Sequence, residues 1–226
     1  MKRFYTAAQA DADRRVLLDG RPIQTPGRTP LVLPTAELAE AIADEWGAQG
    51  ETIDPRSMPL TGLANAAIDR IGPDPAGFAR GLAAYGESDL LYYRAERPAK
   101  LAARQAESWD PLLAWARSRY DVDFVVTAGV IHRPQPAETV ARLAAATAAR
   151  DAFALAGLHP LVTVGGSLIA ALALAEGALA VDAAWAAVSL DDAWQAEQWG
   201  EDAEAAKALA GRRADFAAGA RFLSLL

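Results

Sequence analysis

Residues that could do covalent or metal chemistry are few in this sequence, and their spacing does not suit it. The chain has no cysteine and only two histidines. Thiolate nucleophiles, disulfides, cysteine-type zinc sites and iron–sulfur clusters are thereby excluded. His132 and His159 stand far apart, neither in metal-ligand spacing, and both read as turn or surface residues. Gly157-Leu158-His159-Pro160 reads as a turn that ends a helix. Gly165-Gly166-Ser167 would suit a nucleophile on a glycine turn, with acyl transfer as its chemistry. No G-x-S-x-G elbow surrounds it and no histidine signature accompanies it, so the glycines more simply permit close helix packing. Asp44-Glu45 could serve a glycosidase or a magnesium ion, yet adjacent carboxylates on a helix face different ways and are expected to be solvated. Phosphate-cradling glycine loops of either common type are missing from the sequence. The expectation is no catalytic residue, no metal ligand and no cofactor.

The run from Leu190 to Asp202 carries a different kind of chemistry. It holds five carboxylates, two amides and the tryptophans Trp194 and Trp199. On a helix, Asp191, Gln195 and Gln198 fall on one side, and Leu190, Trp194 and Glu197 line a neighbouring stripe. Rigid aromatic anchors amid acids and amides suit a protein-binding face. The candidate binding residues are therefore Asp191, Asp192, Trp194, Gln195, Glu197 and Trp199. Spacing alone equally allows the tryptophans to be bundle core and the acids to be solvated.

Those residues need elements to carry them. Up to Pro34 the signals are strand and turn: Phe4-Tyr5-Thr6, Arg15 to Leu18 and Leu31 to Leu33 are β-prone, and Asp19-Gly20 suits a tight hairpin. Thr35 is a candidate N-cap for an amphipathic helix over residues 36–47, with Leu38, Ile42 and Trp46 at helical spacing. A second helix should follow Met58-Pro59-Leu60-Thr61. Asp74-Pro75 opens a mainly helical remainder. It comprises a helix over 99–120, bent or re-capped near Pro111, one later strand at Asp123 to Thr127, and four helices near 137–156, 160–176, 182–199 and 202–224. This predicts an α+β chain: a small N-terminal α/β part, residues 1–80, followed by a mainly α-helical orthogonal bundle, residues 81–226.

Composition narrows the partners. A chain of 226 residues with 52% hydrophobic and 23% charged residues can bury a real core. A net charge of -7 with scattered basic residues argues against nucleic acid. The uncharged stretch from Leu161 to Ala175 is shorter than the ~20 residues a spanning helix requires, so no membrane insertion is expected. Met1-Lys2-Arg3 runs straight into Phe4-Tyr5 with no apolar or amphipathic leader, which fits a cytoplasmic protein.

Several blocks, in order, carry a family resemblance. They are Lys2-Arg3-Phe4-Tyr5, Leu18-Asp19-Gly20-Arg21-Pro22 with Thr25-Pro26, Glu45-Trp46 with Gln49, Met58-Pro59-Leu60-Thr61, and Ala67-Ile68-Asp69. The series continues through Ser88-Asp89-Leu90-Leu91, Tyr93-Arg94, Gln105 and Trp109-Asp110-Pro111-Leu112, and ends at Leu190-Asp191-Asp192, Gln195, Trp199-Gly200 and Asp202. Together they resemble the assembly chaperone of the F-type ATP synthase catalytic head that binds the α subunit. The resemblance implies the two-part fold above and an ATP-independent role. Its partner would be the unassembled α subunit, whose β-facing surface a monomeric chaperone would cover until assembly displaces it. The family's acidic position after a leucine in the C-terminal region matches Asp191, where the usual residue is glutamate; the aspartate keeps the charge on a shorter arm. The competing expectations are a small hydrolase built on Ser167 or paired carboxylates, and a regulatory adaptor that binds the finished complex.

Overall fold

The computed structural model describes residues 1–200 and 202–226. Glu201, one of the five carboxylates counted above, lies outside the described residues. Strands β1 (Ala8–Ala10), β2 (Val16–Leu18) and β3 (Arg21–Pro22) form an antiparallel sheet in the order β1-β2-β3. Asp19 and Gly20 join β2 to β3 with φ of 48° and 78°, the positive-φ pair whose twist matches that of the flanking strands. The Asp19 carboxylate also accepts from the backbone N–H groups of Thr6 and Ala7 at 3.1 and 2.9 Å.

Two of the expected strands are displaced or reduced. Phe4-Tyr5-Thr6 is not a strand. Tyr5 is buried and donates its hydroxyl to the Trp46 carbonyl at 2.7 Å, while Phe4 faces solvent. Leu31 to Leu33 makes only one isolated bridge, Arg15 to Val32, with a second, Gln24 to Pro30, just before it. Pro30 and Pro34 flank this run and remove the donors a ladder would need, although Leu31 and Leu33 still enter the core.

Helix α1 (Ala36–Gly47) matches its expected bounds, with Thr35 accepting from the Leu38 N–H. Helix α2 (Pro59–Ala66) runs into a π turn at Ala67–Ile71, and α3 (Pro75–Ala83) starts on the Asp74 cap. The carboxylate of Glu45 accepts from the N–H groups of Leu60 and Thr61, each at 2.8 Å, and so caps α2 from α1. Helix α4 (Ala99–Tyr120) passes Pro111 as one continuous helix, with no re-capping near Ser108. Trp109, Leu112, Leu113 and Ala116 are buried around the proline, and that packing offsets the one missing backbone bond.

The later strand is much shorter than Asp123 to Thr127. Only β5 (Thr127–Ala128) forms, parallel to β4 (Tyr93–Arg94). Upstream, Val125 bonds to a side chain instead of a strand: its N–H donates to Gln135 Oε1 at 2.9 Å, and Gln135 Nε2 donates to its carbonyl at 3.0 Å.

Six helices stand where four were expected: α5 (Ala137–Ala148), α6 (Ala152–Gly165), α7 (Leu168–Ala175), α8 (Val181–Val188), α9 (Leu190–Trp199) and α10 (Ala203–Ser224). Gly157 and His159-Pro160 lie inside α6 and do not end a helix. The break falls at Gly166, whose φ of 69° terminates α6, and at Ser167, which caps α7 by accepting from the Ala170 N–H. Gly157 is instead a packing residue: a Cβ there would sit 2.7 Å from the Leu223 side chain on α10. At Gly219, on the facing side, a Cβ would sit 2.6 Å from Pro160 Cγ and 2.7 Å from the Gly157 carbonyl oxygen. Gly219→Ala should therefore cost about 1–3 kcal/mol through overpacking, lowering the melting temperature by several degrees. Gly211→Ala, on the same helix with open space around it, should gain up to about 1 kcal/mol. Thermal melts of the two variants side by side test the close approach of α6 and α10.

Asp89 locks the segment before β4 to α7. It is fully buried, and its two oxygens accept from the N–H groups of Leu91 and Ile169, each at 3.0 Å. Burial pushes its carboxyl up to about 6, against the opposing pull of the Ile169 and Leu91 N–H groups and the Ser167 hydroxyl. One hydrophobic core runs from Val16 and Leu31 through Tyr92 and Trp109 to Phe216 and Phe222. The boundary expected after residue 80 falls inside α3, which contributes Ala79 and Leu82 to that core. Among the described residues no helix is long and apolar enough to cross a membrane.

Candidate protein-binding site

Helix α9 divides its candidate residues between two surroundings. Asp191, Trp194, Gln195 and Trp199 line an open cleft of about 720 Å³, closed on its other sides by the Tyr93 to Pro98 segment, by Leu101 and Gln105 of α4, and by Gly129 to Ile131. Asp192 and Glu197 do not line it. Asp192 pairs with Arg212 of α10 at 3.1 Å, and Glu197 takes a two-pronged bond from Arg104 of α4. Hydrogen bonding from Arg104 holds the Glu197 carboxyl below its usual range.

The two tryptophans have opposite roles. Trp194 is 8% exposed and Trp199 is 78% exposed. Arg104 lies over the Trp194 ring at 5.4 Å while bonded to Glu197, so one guanidinium braces ring and carboxylate together. Trp194 thus follows the core alternative and Trp199 the surface one. Glu197 supports the wall from behind.

The floor is built from residues far away in sequence. Gln105, 3% exposed, accepts from the Ala95 N–H at 2.7 Å and donates to Asp191 Oδ1 at 2.8 Å. Arg94 lies over Trp109 at 4.9 Å and bonds Asp110 at 2.6 Å. Trp109 in turn donates to the Ala187 carbonyl at 2.8 Å, which ties the floor to α8.

The sequence reading missed Val130 and Ile131 as site residues. They are 93% and 75% exposed and line the same cleft. The available signal was an apolar pair set in a loop between Gly129 and Pro134, where nothing local would bury it. With Trp199 they are the large apolar side chains exposed around the cleft.

Of the residues considered for hydrolysis, Ser167 and Glu45 serve as helix caps and Asp44 lies on the surface. Ser167 is fully buried and its Oγ caps α7, while Glu45 caps α2. Burial and the charge of Arg70 lower the pKa of His159, whose ring sits 5.5 Å from Phe78. The cleft offers apolar and aromatic surface beside the amides of Gln105 and Gln195, the carboxylates of Glu96 and Asp191 and the guanidiniums of Arg94 and Arg97, a lining suited to binding.

The protein is thus a mainly helical α+β body with an open, part-apolar cleft beside α9. The ATP12 chaperone protein family matches residues 2–117, about half of the chain, and the chain belongs to that family. Solved structures agree over its length. Atp12 from Paracoccus denitrificans is 44% identical with a TM-score of 0.93, covering 99% of this chain and 97% of that one. The Atu1473 protein of Agrobacterium tumefaciens is 43% identical with a TM-score of 0.94, covering 99% of this chain and 85% of that one. The resemblance read from the sequence blocks is thereby borne out at the level of the family.

Proposed function

We propose that this chain is an assembly chaperone that binds the unassembled α subunit of the F-type ATP synthase catalytic head and keeps it from aggregating before it meets β. It does so without hydrolysing nucleotide. The observation that carries the reading is the cleft itself, with Val130, Ile131 and Trp199 exposed around it in a chain of the ATP12 chaperone family. An unassembled subunit exposes surface that resembles a core cut in half. A holder for it must offer apolar contact while staying soluble, which the net charge of -7 favours. Asp191 supplies a charge at the cleft that can pair with a client cation.

Co-expression with the α subunit tests the reading. Soluble α subunit should rise several-fold over a control lacking this chain and should not depend on ATP hydrolysis. No rise, or capture only of the finished complex, would refute it, the latter in favour of a regulatory adaptor. Asp191→Asn refines the test, because asparagine can still accept the Gln105 bond but carries no charge. Its melting temperature should stay close to wild type, within about 0.5 kcal/mol of stability, while the yield of soluble α subunit falls.

A further inference from the structure

We infer that Gln105 is a positioning residue for the client: it sets the presentation of Asp191 at the cleft, and does so with no client contact of its own. The inference rests on the function proposed above. The Ala95 N–H can only donate, so Gln105 must turn Oε1 towards it at 2.7 Å. The amide nitrogen then faces Asp191 Oδ1 at 2.8 Å, where a carboxylate can only accept. The reverse orientation of the amide would set donor against donor on one side and acceptor against acceptor on the other, so a single orientation satisfies both partners.

Burial makes this orientation firm. Gln105 is 3% exposed and sits on the long helix α4, between the segment just after β4 and the first turn of α9. Asp191 is half-buried, lines the cleft and belongs to a different helix, 86 residues further along the chain. Among the described residues no other group bonds the Asp191 carboxylate. One oxygen is therefore held and the other is left for a partner. A carboxylate fixed in this way meets a client cation without first losing rotamer freedom, which is the advantage of preorganisation. Neighbouring Asp192 and Glu197 are committed to Arg212 and Arg104, so on α9 Asp191 is the acid this device presents to the cleft.

The test has two arms. In the free protein, Asp191→Ala should shift the Gln105 side-chain amide resonances and speed their exchange with solvent. Unchanged resonances would overturn the inference whatever the client is. The second arm is a double-mutant cycle on soluble α subunit using wild type, Gln105→Met, Asp191→Ala and the double variant, with melting temperatures recorded for each. If Gln105 acts through Asp191, Gln105→Met should lower the yield several-fold in the wild-type background and have no further effect once Asp191 is gone. Equal losses in both backgrounds would show a general structural role and overturn the inference. A wild-type chain that yields no soluble α subunit would bring down the proposed function, and with it the client role of Gln105; an additive cycle on a working wild type would bring down the inference alone.

Discussion

Ile131→Asp combined with Trp199→Ala should abolish most client rescue while leaving the fold intact. Both side chains are largely exposed, at 75% and 78%, so little packing is lost, and such surface substitutions usually fall within about ±0.5 kcal/mol. At an interface the balance reverses. Large anchors desolvated on binding commonly cost about 2–4 kcal/mol each when truncated, and an aspartate placed against an apolar client surface adds its own desolvation cost. Even one such loss weakens binding by roughly thirty-fold or more. The measurement is soluble α subunit on co-expression beside the melting temperature of the purified variant. An unchanged yield would move the client surface away from this cleft; a fall in both would make the two side chains structural.

Asp89 should give the largest single loss of stability outside the hydrophobic core. Asp89→Ala leaves the buried N–H groups of Leu91 and Ile169 without their acceptor, at about 1–3 kcal/mol for each unsatisfied group. The charge adds a pH signature. The carboxyl is raised from 3.8 to about 6, so the folded state binds the proton more tightly than the unfolded chain does. Its contribution to stability is therefore fully present below the unfolded value and is lost as pH rises through about 6. Between pH 7.5 and pH 5 this linkage is on the order of 1 kcal/mol. Asp11, Asp19 and Glu197 have lowered values and act in the opposite direction, so the wild-type profile alone does not isolate Asp89. The difference between wild type and Asp89→Asn does, because asparagine cannot titrate. Urea unfolding should show wild type more stable than Asp89→Asn, with the gap wider at pH 5 than at pH 7.5. A gap that narrows on acidification would mean that hydrogen bonding to the ionised form outweighs its desolvation.

Many of the blocks that carried the resemblance are framework as much as function. Asp19, Glu45, Asp69, Asp89 and Gln105 each accept a backbone N–H from another segment. Polar side chains with such partners hold turns and helix starts in place. A motif residue here can be indispensable and yet never touch a client.

By itself the sequence determined what is set by nearest neighbours: the Asp19-Gly20 turn, the Thr35 and Asp74 caps, and the bounds of α1 and α4. Each follows from the φ preference of one residue or from a side chain reaching three residues along. The α+β class and the aromatic, acidic character of α9 were legible for the same reason. Tertiary structure alone decided which tryptophan is buried, since Trp194 is covered by Arg104 from α4. It decided that Asp192 and Glu197 are paired while Asp191 faces the cleft, because their partners lie 20, 93 and 86 residues away. It also kept α6 helical through Gly157 and Pro160, where local propensity reads as a stop, because α10 needs that close approach. Periodicity reports which face of an element is apolar; what covers that face is set by contacts between segments distant along the chain, and the cleft is made of those contacts.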